Sequence, residues 1–119
     1  MNNYPEDRIG LVIISAASVA KCISIIRKFN PISMSEIKTA IESNSFVFDC
    51  NYTNTSGIRK VRRCYDELVK AGAIVEIYED GDLTNREFIT NLLNSYRKID
   101  KDIQNQIDAE VAAEGGAEK

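Results

Sequence analysis

Arg59, Lys60, Arg62 and Arg63 place four cations in five positions of this chain. Such a run could hold RNA phosphates or an acidic protein. It also fits the solvated outer face of a helix. Ile58, Val61 and Tyr65 recur at helical spacing on the other side, Asp66 and Glu67 follow, and no aromatic residues interleave the cations. On residue pattern alone the solvated face carries more weight. RNA binding and docking of the chain's own acidic C-terminal stretch stand as alternatives. That docking would need apolar contacts as well, because an exposed ion pair contributes only about 0.2–1 kcal/mol. Arg27 and Lys38 offer a second cationic pair, although Lys38 can instead pair with Glu42 four residues on.

Other reactive side chains are sparse. The chain has no histidine, and so no side chain whose ordinary pKa lies near neutrality. This weighs against acid-base catalysis, a catalytic triad and a histidine-containing zinc site. Cys22, Cys50 and Cys64 are odd in number, far apart and in no Cys-x-x-Cys pair. Cys22 falls in an apolar helical stripe and reads as a small core residue in a reducing compartment. Asp80, Asp82 and Glu87 sit beside a turn, where carboxylates favour the positive end of a helix more readily than they hold a cation. No phosphate-cradling glycine loop and no nucleophile elbow is present. The expectation is a protein that is not an enzyme and uses no cofactor and no metal.

The elements that position these residues follow from periodicity. At 119 residues and 44% apolar composition the chain makes one small domain with an appendage. Ile9 to Ile14 predicts a buried strand. Val19, Cys22, Ile23, Ile26 and Phe29 predict a first helix capped by Ser18 and stopped at Asn30-Pro31. Ser33 with Glu36 makes a capping box for a second helix, with Met34, Ile37 and Ile41 as its buried stripe. Phe46 to Tyr52 reads as a short edge strand or extended loop, with Phe46, Phe48 and Cys50 facing one way. Thr55 or Ser56 caps a third helix whose inner face is Ile58, Val61, Tyr65, Leu68 and Val69. Gly72 is its left-handed exit, Ala73 to Tyr78 a strand and Asp80-Gly81 a turn. Thr84 with Glu87 predicts another capping box, opening a helix that runs to about Ala112.

The fold class is therefore α/β of the α+β kind, a small sheet of two or three strands covered by three helices, followed by a long C-terminal helix. Residues 1–80 are assigned to the α/β module, 81–113 to the long helix and 114–119 to a disordered tail. Ile99, Ile103 and Ile107 form a narrow seam on that helix, suited to pairing in a homodimer or with a partner. Net charge is −3, divided unevenly. Residues 1–78 carry 10 basic against 8 acidic side chains, a net +2, and residues 79–119 carry 5 against 10, a net −5. The apolar stretch from Leu11 to Ala20 is shorter than the roughly 20 residues of a membrane helix. With a polar, acidic opening from Met1 to Arg8 it points to a cytoplasmic protein without membrane contact.

From Ala20 to Glu42 the pattern resembles the C-terminal domain of the bacterial ribosomal stalk protein, without a gap. The residues that carry the likeness are the apolar spacing of the first helix, Arg27 near its end, Ile32 and Met34 around the turn, and the Glu36-x-Lys38 pair. The Ala71-Gly72-Ala73 exit into Val75-Glu76-Ile77 is the other anchor, and the likeness spans residues 9 to 78. In that family the first two helices present a basic and apolar face to translational GTPases. The resemblance thus implies a protein-binding face at Ile23, Arg27, Glu36 and Lys38. Val19, Ser24 and Ser33 depart from the family, standing in place of two basic residues and a glycine. The family's N-terminal dimerisation domain and hinge have no counterpart here. The adaptor that delivers N-degron substrates to the Clp protease has a similar architecture, but its recognition pocket depends on a histidine that this chain lacks. The expected function is a non-enzymatic interaction module for a translation-associated factor. The alternatives are a phage or mobile-element regulator engaging a host factor, and RNA binding through the third helix.

Overall fold

The structure, a computed structural model, describes residues 7–97. Its elements run β1 (Arg8–Ser15), α1 (Val19–Phe29), α2 (Met34–Glu42), β2 (Phe48–Asn51), α3 (Thr55–Lys70), β3 (Ile74–Glu79) and β4 (Asp82–Thr84). A fourth helix, α4, occupies residues 86–97. The four strands form one antiparallel sheet in the order β2-β1-β3-β4.

β1 is the spine of the sheet because it is apolar on both faces. Ile9, Leu11 and Ile13 alternate toward the helices and are buried with their cross-strand partners Cys50, Phe48 and Ile77, while Val75 opposite Ile13 is half-buried. Onto this face pack Cys22, Ile23 and Ile26 of α1, Ile37 of α2, Ile58, Val61, Cys64 and Leu68 of α3, and Ile89 and Leu93 of α4. Gly10 and Val12 point the other way. A β-carbon on Gly10 would stand 2.7 Å from the Phe46 ring, so the ring lies flush against the strand only because this residue is glycine. Phe46 therefore sits across the sheet from Phe48 and Cys50, which is a correction to the expected shared face. It precedes β2 and is not bound by the strand's alternation.

The sheet has four strands where two or three were expected. The added strand is three residues long and has no alternation to betray it. It forms because Asp80 and Gly81 both adopt positive φ, 53° and 85°, the geometry of a tight hairpin turn. Gly72 takes the left-handed exit from α3 at φ 94°.

Caps agree for two helices and move for two. Ser18 Oγ accepts from the Lys21 amide at 3.2 Å, and Ser33 Oγ from the Glu36 amide at 3.1 Å. α3 is capped by Asn54, whose Oδ1 accepts from the Gly57 amide at 2.9 Å, rather than by Thr55 or Ser56. Asn85 does the same for the Phe88 amide, because Thr84 is already committed to β4. Ile14, expected within a buried strand, is 46% exposed near the end of β1, and three residues expected on buried helix faces also stand out. Val19, Met34 and Val69 are 40%, 57% and 44% exposed. Each lies in the first or last turn of its helix, where only one side has a neighbouring turn.

Candidate partner-binding site

Helices α1 and α2 meet at a sharp corner. Asn30 ends α1, its side-chain amide donates to the Val47 carbonyl at 3.1 Å, and Ser33 opens α2 three residues later. The corner leaves a groove of about 380 Å³ lined by Ala20, Ile23, Ser24, Arg27 and Met34. Ala20 and Ser24 are small and lie one turn apart, so the α1 wall is low between Ile23 and Arg27. Ile23 is 8% exposed and supplies an apolar floor, over which the exposed Met34 stands as a flexible lip.

Of the expected face, Ile23 and Arg27 come together in this groove. Arg27 and Lys38 are both exposed, and neither enters any of the three ion pairs among the described residues, so the local Lys38–Glu42 pair is not formed. Glu36 is turned away. It receives the Ser33 hydroxyl at 3.3 Å and lines a separate hollow with Ile32, Thr39 and Phe46. Met34 was missed as a surface residue because its position at the head of an apolar stripe reads as core. The low wall at Ala20 and Ser24 was the available signal.

The other cations lie on α3 and its neighbours. Arg59, Arg62 and Arg63 line a cavity of about 250 Å³ with Asp66, and Arg86 from α4 joins them. Arg86 grips Asp66 with two parallel bonds, Nε to Oδ1 at 2.6 Å and Nη2 to Oδ2 at 2.9 Å. Arg62 Nη1 donates to Thr90 Oγ1 at 3.2 Å. Lys60 is exposed but lies outside the cavity lining. On the opposite flank of α3, a groove of about 480 Å³ is lined by Lys21, Ile25, Lys28, Glu67, Lys70 and Ala71, with Lys28 paired to Glu67. Ile99, Ile103 and Ile107 lie outside the described residues.

The cysteines are all buried free thiols. Burial pushes Cys50 up to about 11 and Cys64 up to about 12, and raises Cys22 as well, so each is held neutral. Neutral buried thiols do not act as nucleophiles. Among the described residues no three His, Cys, Asp or Glu side chains gather to hold a metal ion, and no helix is long and apolar enough to cross a membrane. Compared with known proteins, the chain matches no protein-family model, no curated protein sequence and no solved structure.

Proposed function

We propose that this chain is a non-enzymatic protein-interaction module that docks an apolar, acidic segment of a cytoplasmic, translation-associated factor in the α1–α2 groove. The observation that carries this reading is the groove's composition. A buried isoleucine floor, an exposed methionine lip and an arginine with no ion pair among the described residues stand within one concavity. Such a site suits a partner helix that brings one or two apolar anchors and a carboxylate. Arg27 supplies the matching charge and Lys38 extends it along α2. The order strand, helix, helix, strand, helix, strand over residues 8–79 supports the stalk-like reading, from which the translational partner is drawn.

The test is direct binding of the purified full chain to purified translational GTPases, with Arg27→Glu/Lys38→Glu as the variant. Wild type should bind and the double variant should lose at least about tenfold, the weight of one desolvated charge contact. Wild-type affinity in the variant would exclude this face. Absence of binding by wild type to every translational GTPase tested would exclude the partner class.

A further inference from the structure

Seven cations line the grooves on the two flanks of α3, against two carboxylates. Arg59, Arg62, Arg63 and Arg86 stand on one side with Asp66, and Lys21, Lys28 and Lys70 on the other with Glu67. Both carboxylates are already engaged, Asp66 by Arg86 and Glu67 by Lys28. No carboxylate of either lining therefore remains for Arg59, Arg62, Arg63, Lys21 or Lys70. We propose that α3 and its flanking grooves form a binding surface for the phosphate backbone of a single-stranded nucleic acid.

Three features select this occupant. Guanidinium groups bind phosphate oxygens in pairs, and two of the four are already oriented, Arg62 by the Thr90 hydroxyl and Arg86 by Asp66. Of α3's exposed side chains only Val69 is apolar. Beside it only Ile25 and Ala71 of the lysine-lined groove could anchor a protein partner, whereas binding to a phosphate backbone needs no apolar anchor. Lastly, α3 has 16 residues, and at about 1.5 Å per residue it is about 24 Å long. Cations spread along that length and on both flanks suit an extended polyanion better than one phosphorylated side chain.

The surface is separate from the α1–α2 groove and does not depend on the function proposed for it. Fluorescence anisotropy of the full chain with a labelled mixed-sequence RNA of about 20 nucleotides, and with the corresponding single-stranded DNA, tests it. Engagement of about four phosphates gives a log–log salt slope of about −3, a loss of roughly 50-fold in affinity between about 50 and about 200 mM salt. Arg59→Glu/Arg63→Glu should weaken binding by more than about 30-fold, because it replaces two attractions with two repulsions. Arg59→Gln/Arg63→Gln should show an intermediate loss, with circular dichroism confirming that both variants fold. Arg27→Glu/Lys38→Glu should bind like wild type. No binding by wild type at low salt, a flat salt dependence, or wild-type affinity in the Arg59/Arg63 variants would each overturn the proposal. So would equal loss in the Arg27/Lys38 variant, which would reduce the effect to net charge. Binding of a phosphoserine peptide or inorganic phosphate, with neither nucleic acid bound, would assign the cavity to a lone phosphoryl group and overturn it too.

Discussion

The groove between α1 and α2 and the cavity between α3 and α4 are both edged by arginine, yet their linings differ in kind. The first has an apolar floor, because Ile23 reaches the surface between two small residues and Met34 overhangs it. The second has no apolar residue in its lining. A charge beside a dry floor is partly shielded from water and can select one partner geometry. Charges around a wet cavity are fully hydrated and recognise density of charge rather than shape. On the two readings proposed above, similar side chains would serve docking in one place and polyanion attraction in the other, and what lies beneath them would make the difference.

The largest effect should come from undermining the layer that both sites share. Ile26 is fully buried in α1, the helix that walls the apolar groove and the lysine-lined flank of α3. Ile26→Ala should cost about 2–5 kcal/mol in urea unfolding and weaken both binding activities together. Loss of only one activity would show that the two surfaces rest on separate supports. Next in size are the paired charge reversals. Arg27→Glu/Lys38→Glu should remove the protein partner and spare nucleic acid, and Arg59→Glu/Arg63→Glu should do the reverse, each at more than about 1.4 kcal/mol, the equivalent of tenfold. A crossed result would erase the distinction between the grooves.

Below these stands an alkaline limb of stability set by the thiols under the helical layer. Cys50 and Cys64 stay protonated in the folded chain up to about 11 and about 12, whereas an unfolded thiol ionises near 9.0. Between those values the unfolded chain binds fewer protons. Stability is then full below the unfolded pKa and falls as pH rises through it. Urea midpoints measured from pH 8 to 11 should decline accordingly, and Cys64→Ala should flatten the decline. The smallest effect belongs to the α3 cap. Asn54→Ala should cost about 1 kcal/mol in thermal or urea unfolding while leaving the α1–α2 groove intact.

Much of the scaffold was legible because the signals were local. Ser18 and Ser33 sit where a helix must begin, Asn30-Pro31 where one must end, and Gly72 where only a residue free of a β-carbon exits at positive φ without strain. The core stripe Cys22, Ile23 and Ile26 followed from spacing. The failures share a cause as well. Met34 and Val69 obey the periodicity of their helices but lie at the ends, and no sequence interval records where a neighbouring element stops. β4 was hidden because three residues carry too little pattern, and its pairing is imposed by β3 across the turn. Of the proposed partner face, Ile23 and Arg27 meet in one groove while Glu36 faces another hollow, a separation that depends on how α2 is rolled against α1.

Periodicity, caps and turn residues determined the helices and the central strand, because each rests on residues a few positions apart. Only tertiary packing decided that Arg86, twenty residues beyond Asp66, would close that carboxylate and join three arginines of α3, and that a methionine would leave the core to roof a groove. Those outcomes depend on which helix faces rest on β1. That choice is made by the burial of the whole apolar layer at once and not by any single stretch of chain.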